Sequence, residues 1–260
     1  MLIDTHAHLN FEGLNEEIDD IITRANDAGV TTIINVGTSL SESQEVIDLA
    51  AKYDNFYATV GLHPTDAKDT KNGCQEEFIK MANEPKVVAI GECGLDIYTP
   101  ENNKDEITNE EEIKRQISLF ESQLQIAQDL QKPVTIHCRN GWDLIFDILK
   151  NFKVNGVFHS WTGSVKELEK ALAIDFSISF SGIVTFKNAQ DVQECAKLVP
   201  EDRYILETDS PFLSPEPKRG QRNTPANVKI VAEFIAAQRG VNFEAIAASA
   251  TNNTKKIFGI

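Results

Sequence analysis

The sequence has few cysteines and no long apolar runs. Both shortages limit the classes of protein to which the chain can belong. The cysteines are Cys74, Cys93, Cys138 and Cys195, and no two of them form a C-x-x-C pair. This spacing argues against a disulfide framework and against a thiolate zinc site. No run of about 18 apolar residues could span a membrane, and the N-terminus lacks the basic and apolar regions of a signal peptide. We therefore expect a cytoplasmic protein that does not enter membranes.

Positive charge is also scarce. The chain has 25 lysines and arginines against 40 aspartates and glutamates, and its net charge is -15. Such a charge opposes nonspecific attraction of nucleic acid to the protein as a whole. No G-x-G-x-x-G or Walker sequence occurs, so ATP chemistry is not expected. An anionic substrate must therefore be attracted locally.

What the sequence does contain is a regular alternation of short β-branched runs and amphipathic helical stretches. This alternation is typical of a parallel sheet with crossover helices. Eight runs can be counted, as in a (β/α)8 barrel: "LIDTH" near Ile3, 31–37, 56–61, 87–92, 133–138, 156–160, 176–182 and 203–209. No Pro/Gly/Ser-rich linker divides the chain. We predict an α/β protein with one TIM-type barrel domain over residues 1–260.

Helices are predicted between the strands and after the last one. Their ranges are 16–28, 41–52, 110–130, 142–149, 165–173, 189–198, 226–238 and 243–257. The acidic stretch Thr99–Glu112 follows the fourth strand, on the side where a barrel carries its active-site loops. We interpret it as a solvated loop that runs into a helix, and a lid over the site is the alternative.

The histidines fall at the C-terminal end of a predicted strand or just beyond it. The first strand ends with two of them, and the third, fifth and sixth are followed or ended by one each: His6, His8, His63, His137 and His159. Because strand residues two apart face the same way, Asp4, His6 and His8 should project together. In a barrel these strand ends converge on one mouth, where catalytic groups are expected.

Two carboxylates join this set, since Glu92 ends the fourth predicted strand and Asp209 ends the eighth. Four imidazoles and two carboxylates exceed one tetrahedral site but suit two divalent ions with a shared carboxylate. Nitrogen and oxygen ligands without sulfur admit zinc, manganese, cobalt or magnesium. Two such ions against both carboxylates and one hydroxide leave a charge of about +1. That charge favours an anionic substrate such as a phosphodiester.

The loop after the eighth predicted strand is a basic island in this acidic chain. It reads "SPFLSPEPKRGQRNTPANVK" and holds Lys218, Arg219, Arg222 and Lys229 against Glu216. Guanidinium groups match phosphate oxygens in geometry. We predict that Arg219 and Arg222 bind substrate, and an ordinary solvated loop is the alternative.

Taken together, the motifs resemble those of the TatD family of metal-dependent deoxyribonucleases, within the amidohydrolase-like barrels. The matching motifs, in order, are "DTHAHL", "GLHP", "GECGLD", "IHCR", "FHSWTG" and "ETDSPFLSPEPKRGQRNTPANV". They span nearly the whole chain. The resemblance implies a TIM-type barrel that holds two divalent metal ions.

The resemblance also implies a role for each site residue. One metal would be held by His6, His8, Glu92 and Asp209, and the other by Glu92, His137 and His159, so that Glu92 is the bridge. His63 resembles the family's additional active-site histidine, near substrate or behind the ligands. Glu92, Asp209 and His63 are thus the candidate catalytic residues. Arg139 of "IHCR" joins Arg219 and Arg222 as a candidate substrate contact.

The expected activity is hydrolysis of phosphodiester bonds by a 3′ to 5′ exonuclease acting on DNA. Single-stranded ends are favoured, because a barrel mouth admits a splayed strand more easily than a helix. One alternative is a metal-dependent amidase, lactonase or aminoacyl-ester deacylase on the same barrel. Another is a metal-stabilised binding protein without catalysis. No stable protein partner is inferred.

Overall fold

Eight parallel strands form one sheet whose order follows the chain. The structure is a computed structural model and describes residues 1–11, 13–66, 75–97 and 110–260. The strands are β1 (Leu2–Ala7), β2 (Val30–Val36), β3 (Phe56–Val60), β4 (Val87–Asp96), β5 (Val134–Arg139), β6 (Gly156–Phe158), β7 (Ser177–Phe180) and β8 (Tyr204–Leu206). The predicted TIM-type barrel is confirmed.

The sheet closes because the chain beyond β8 runs alongside β1. Ala7 and Ser210 form a parallel bridge. The Asp209 amide donates to the His6 carbonyl at 2.8 Å, and the His8 amide donates to the Ser210 carbonyl at 2.8 Å. These bonds place the end of the eighth unit directly beside the paired histidines.

Helices alternate with the strands and cover the outside of the barrel. They are α1 (Ile18–Asp27), α2 (Leu40–Lys52), α3 (Gln75–Ala82), α4 (Glu110–Leu130), α5 (Trp142–Leu149), α6 (Val165–Ala173), α7 (Gln190–Leu198), α8 (Val228–Arg239) and α9 (Phe243–Phe258). The predicted helices agree with these bounds to within two residues, whereas α3 was not predicted. Residues 99–109 of the stretch predicted as a loop or lid (Thr99–Glu112) lie outside the described residues, and the rest of it begins α4. None of the described helices is long and apolar enough to cross a membrane.

The barrel is filled at the end opposite the histidines. Ile34, Val88, Val157 and Ile205 come from β2, β4, β6 and β8 and pack together in one buried cluster with Phe258 of α9. A layer of four side chains from alternate strands is the usual filling of such a barrel. The packed end leaves the C-terminal ends of the strands as the place for polar side chains.

Predicted and observed strand ends differ by two residues or more at β4, β6, β7 and β8. β4 runs on to Asp96, so Glu92 lies inside the strand, and the pairing register shifts between Ile90 and Cys93. Such a shift turns a side chain away from the regular alternation of the strand. β6 and β8 end earlier than predicted, so His159 and Asp209 follow the strands rather than end them.

Two glycines of the motifs serve close backbone approach rather than phosphate binding. A Cβ atom at Gly94 would lie 2.0 Å from the His137 carbonyl oxygen, and one at Gly61 would lie 2.3 Å from the Gly91 carbonyl carbon. Only glycine fits where strands approach this closely. β4 is thereby packed tightly against its neighbours on both sides of Glu92.

Candidate metal centre

The structure brings the six predicted ligands together at the C-terminal mouth of the barrel: His6, His8, Glu92, His137, His159 and Asp209. Four of the side chains are at most 5% exposed, and the most exposed one is at 18%. Their ring and carboxylate atoms therefore face one another and are largely shielded from solvent.

The first half of the cluster is built by β1 and the segment after β8. His6 Nε2 lies 3.3 Å from His8 Nε2, and Asp209 Oδ1 lies 3.3 Å from His8 Nε2 and 3.7 Å from His6 Nε2. Asp209 has a φ of 57°, in the left-handed region that aspartate adopts more readily than most residues. This turn directs its carboxylate back towards β1.

The two oxygens of Glu92 face different histidines. Oε2 lies 3.3 Å from His6 Nε2. Oε1 lies 2.7 Å from His137 Nδ1 and 2.9 Å from His159 Nε2. A carboxylate placed in this way has one oxygen for each of two neighbouring ligand sets.

The spacing of these atoms fits a bound metal ion. Ligand atoms held about 2.0–2.1 Å from one ion in a tetrahedron lie about 3.3 Å apart. The distances from His6 Nε2 to His8 Nε2 and to Glu92 Oε2 are both 3.3 Å, as is the distance from His8 Nε2 to Asp209 Oδ1. The nitrogen and oxygen donors of the cluster are thus arranged as ligands around a common point.

Partners outside the cluster fix which ring nitrogen of His8 and of His159 faces inwards. His8 Nδ1 lies 3.1 Å from the Val36 carbonyl oxygen, which can only accept, so this nitrogen carries the proton. His159 Nδ1 lies 3.1 Å from Glu207 Oε1. In both rings Nε2 is the nitrogen that can offer a lone pair to a cation in the cluster, as in metal-binding histidines whose other nitrogen donates to a carbonyl or carboxylate.

The charges around His159 also fit a bound metal ion. Its two nitrogens face two carboxylates, Glu207 at 3.1 Å and Glu92 at 2.9 Å. A neutral imidazole has one N–H, so the second carboxylate needs a positive charge between it and the ring. Burial lowers the pKa of His159, but Glu92 and Glu207 outweigh it and hold that pKa well above the usual value. A divalent cation shared by His159 and Glu92 would supply the same charge.

Glu92 is held as an anion in this setting. Burial alone would raise its pKa, but the neighbouring His159, His63 and His6 outweigh burial and hold the pKa well below the usual range. Asp209 behaves alike, since burial is outweighed by the hydrogen bond from His8 and the charge of His6, and its pKa is lowered. Both carboxylates are therefore available to cations.

His63 differs from His8 and His159 in its tautomer. The Thr65 amide donates to His63 Nδ1 at 3.3 Å, and burial lowers the pKa of this ring to about 4. A neutral ring that accepts at Nδ1 carries its proton on Nε2. Nε2 lies 3.6 Å from Glu92 Oε1. His63 thus presents an N–H donor to the cluster, where His8 and His159 present lone pairs.

Asp4 does not join the cluster, although it lies two residues before His6. Its carboxylate accepts from the Thr208 amide at 2.9 Å and from the Thr208 hydroxyl at 2.5 Å, and burial raises its pKa to about 8. Asp4 therefore ties β1 to the segment that carries Asp209.

Sequence reasoning missed two carboxylates that orient the cluster. Glu207 contacts His159 and also accepts from the Ser160 amide at 2.7 Å. Asp96 Oδ2 lies 3.3 Å from His137 Nε2, on the side of the ring away from Glu92. Both stand in the quoted motifs "ETDSPF" and "GECGLD", and their spacing of two and four residues from a predicted ligand was the available signal.

Alanine at Asp96 should weaken the binding of a metal ion at His137. Loss of such an outer partner typically costs about 10- to 100-fold in metal affinity or activity, because the ring loses the contact that fixes its orientation. Titration of chelated protein with Mn²⁺ measures the effect, and Asp129→Ala on the exposed end of α4 is the matched control. Unchanged affinity at every bound ion would contradict the role of Asp96.

The three predicted substrate arginines occupy different positions. Arg139 ends β5, is half exposed, and its Nη1 lies 3.9 Å from Asp96 Oδ2. Arg219 is exposed, and its guanidinium carbon lies 4.1 Å from the centre of the Phe186 ring. Arg222 is paired with Glu17, and its Nη1 donates to the Gly13 carbonyl at 3.2 Å. Arg222 therefore joins two loops of the mouth, and a phosphate would compete there with Glu17.

Comparison with known sequences finds similarity to TatD-type proteins and metal-dependent hydrolases. The family model "TatD related DNase" matches residues 3–259. A Bacillus subtilis protein described as the uncharacterized metal-dependent hydrolase YabD is 38% identical over 263 residues, which cover 100% of both chains. The 3'-5' ssDNA/RNA exonuclease TatD of Shigella flexneri is 34% identical over 267 residues, which cover 100% of this chain and 99% of that one.

A solved structure agrees with these sequence matches. The crystal structure of YJJV, a TatD homologue from Escherichia coli, superposes with a TM-score of 0.91 and 28% sequence identity. The alignment covers 100% of this chain and 98% of that chain. The similarity thus extends over the whole barrel.

Proposed function

The chain belongs to the TatD related DNase family, and from this premise we propose that it binds two divalent ions and removes nucleotides from the 3′ ends of single-stranded DNA. It is a metal-dependent hydrolase, as its relatives are named. The observation that carries the proposal is the position of Glu92, which places one carboxylate oxygen at each of two sets of imidazole nitrogens. A site of this kind suits the two-metal hydrolysis of phosphodiesters.

The proposed ligand sets share Glu92. One consists of His6, His8, Glu92 and Asp209, and the other of Glu92, His137 and His159. Divalent ions in such a site polarise phosphoryl oxygens and lower the pKa of water. Nitrogen and oxygen donors accept magnesium, manganese, zinc or cobalt alike, so the identity of the ions is a matter for reconstitution.

We assign the proton transfer to Asp209. Its side chain is 13% exposed, so a water molecule can reach its carboxylate from the mouth. The carboxylate takes a proton while the water oxygen bonds to phosphorus in line with the leaving sugar oxygen. The bond between phosphorus and that oxygen breaks, and the oxygen takes up a proton from solvent.

We assign the binding of a phosphoryl oxygen to His63. Its ring is neutral with the proton on Nε2, and 16% of the side chain is exposed at the mouth. An N–H donor next to the cluster can hold an oxygen on which negative charge develops, and such donors stabilise the transition state. Because its Nε2 carries a proton, His63 does not compete with the proposed ligands for a metal ion.

A reconstitution assay tests this proposal. Chelated protein is supplied in turn with Mg²⁺, Mn²⁺, Zn²⁺ or Co²⁺ and offered end-labelled single-stranded DNA, RNA and a panel of carboxylic esters and amides. We expect stepwise shortening of the DNA from its 3′ end with at least one metal. The chelated protein should not shorten the DNA until metal is added. Turnover of the esters or amides without nucleic-acid cleavage would overturn the proposal in favour of an amidase, lactonase or deacylase.

Arg219→Ala should flatten the salt dependence of DNA hydrolysis. Each phosphate contact on a single strand contributes about 0.7 to the slope of log affinity against log salt concentration, so we expect kcat/KM to lose roughly that much slope. Arg222→Ala should change the slope less, because Glu17 already neutralises this side chain. Arg203→Ala, at the opposite end of the barrel, is the matched control, and an unchanged slope for Arg219→Ala would make this loop a solvated connection.

A further inference from the structure

Two phenylalanines form an aromatic surface beside the candidate metal ligands. Phe11 stacks on the His8 ring with centroids 5.1 Å apart. Phe212 meets Phe11 edge to face at 5.8 Å and lies 6.2 Å from the His8 ring. The aromatic surface therefore starts at His8, whose Nε2 faces the other candidate ligands.

Phe212 is unusual in being open to solvent. Its side chain is 50% exposed, which makes it the most exposed aromatic side chain in the described part of the chain. Single exposed apolar residues are common and usually need no explanation. This one lies three residues after Asp209, at the mouth where substrate must enter, and its ring extends the aromatic contact that starts at His8.

The chain holds Phe212 in place from both sides. The Phe212 amide donates to the Asp209 carbonyl at 2.8 Å, and the buried Asn223 side chain donates to the Phe212 carbonyl at 2.6 Å. Arg222 connects the same loop to the Gly13 carbonyl, in the loop that carries Phe11. The two rings are thus fixed before any substrate binds, which lowers the entropy cost of using them as a binding surface.

We propose that Phe212, supported by Phe11, stacks on a nucleobase that flanks the cleaved phosphodiester, an inference that rests on the proposed function. Aromatic side chains bind single strands by stacking, and they do so with little regard to sequence because every base has a π-face. A base inside a duplex is already stacked on its neighbours, so the surface selects an unpaired end. The net charge of -15 strengthens the need for such a contact, since phosphate attraction alone has little support in this chain.

A cycle of protein and substrate changes tests the stacking. Holoprotein is given a 5′-labelled single strand whose last two nucleotides are either natural or abasic tetrahydrofuran residues. Phe212→Ala should raise KM for the natural strand roughly 5- to 100-fold, and the abasic end should raise it by a similar factor for the unchanged protein. The two changes together should raise KM no further than either alone, because both remove the same contact.

Matched variants separate stacking from general damage. Phe212→Trp keeps a stacking ring and should retain the low KM, whereas Leu198→Ala removes an equally exposed apolar side chain from the end of α7 and should change nothing. The stacking role is overturned, and the proposed function stands, if DNA is degraded normally but neither Phe212→Ala nor the abasic end raises KM. The same holds if the two changes together raise KM by the product of their separate factors. If the unchanged protein degrades neither natural nor abasic strands with any of the four metals, the proposed function itself fails and the base contact fails with it.

Discussion

Glu92→Ala should abolish hydrolysis and lower the metal content from the proposed two ions per chain to fewer than one. Glu92 is the proposed ligand common to both sets, and His6, His63, His137 and His159 all lie within 3.6 Å of its oxygens. Its loss leaves each set with one ligand fewer and removes a charge that attracts the ions. Metal ions supply several kcal/mol of transition-state stabilisation in such reactions, so we expect kcat to fall by at least about 10³-fold.

The comparison with a terminal ligand makes this prediction specific. His6→Ala should lower the content towards one ion, since the second set, Glu92, His137 and His159, does not need it. Elemental analysis after reconstitution measures the content, and thermal unfolding checks the fold, which a packed barrel keeps without metal. Near-normal turnover with two ions in Glu92→Ala would show that Glu92 is not the bridge.

Asp209→Asn should reduce kcat by roughly 10²- to 10⁴-fold, the usual contribution of a positioned general base. The amide keeps the shape of the side chain and an oxygen near His8, but it accepts a proton poorly and attracts cations less. In the proposed two-metal site, an ion at His6 and His8 should therefore bind more weakly, while an ion at His137 should bind as before.

A chemically identical substitution elsewhere provides the control. Asp175 is exposed, pairs with Arg203 at 2.7 Å and lies at the other end of the barrel, so Asp175→Asn should retain full activity. Measurement of kcat at saturating Mn²⁺ separates the base from the ligand role, because added metal restores only the ligand role. An Asp209→Asn protein that regains full kcat under these conditions would leave proton transfer to another group.

The sequence was sufficient to predict the barrel and to indicate which residues meet. Its β-branched runs are regular, and the histidines and acids lie where these runs end, so topology alone collects them at one mouth. It was not sufficient to locate Glu92, which was predicted at the end of β4 and lies inside the strand. The register shift between Ile90 and Cys93 depends on how β4 pairs with two neighbours at once, and no local pattern shows it.

Sequence reasoning also missed the two carboxylates behind the ligands, because their spacing from a predicted ligand does not by itself show what they contact. Asp96 and Glu207 look like ordinary polar positions near strand ends, and only the packed rings of His137 and His159 reveal what they contact. Arg222 was predicted to bind substrate from its charge, whereas its pairing with Glu17 depends on loops distant in sequence. The cytoplasmic location and the absence of a stable protein partner stay predictions.

The central claim is that one carboxylate joins two metal ions, and electron paramagnetic resonance of the Mn²⁺ protein tests it most directly. Chelated protein is titrated to two equivalents, and the same titration is performed on Glu92→Ala. Two ions that share a ligand lie about 3.5–4 Å apart, so we predict the multiline spectrum of an exchange-coupled manganese pair in the unchanged protein and its absence in the variant. Only the signal of isolated Mn²⁺ ions in the unchanged, catalytically active protein at two equivalents would contradict the account.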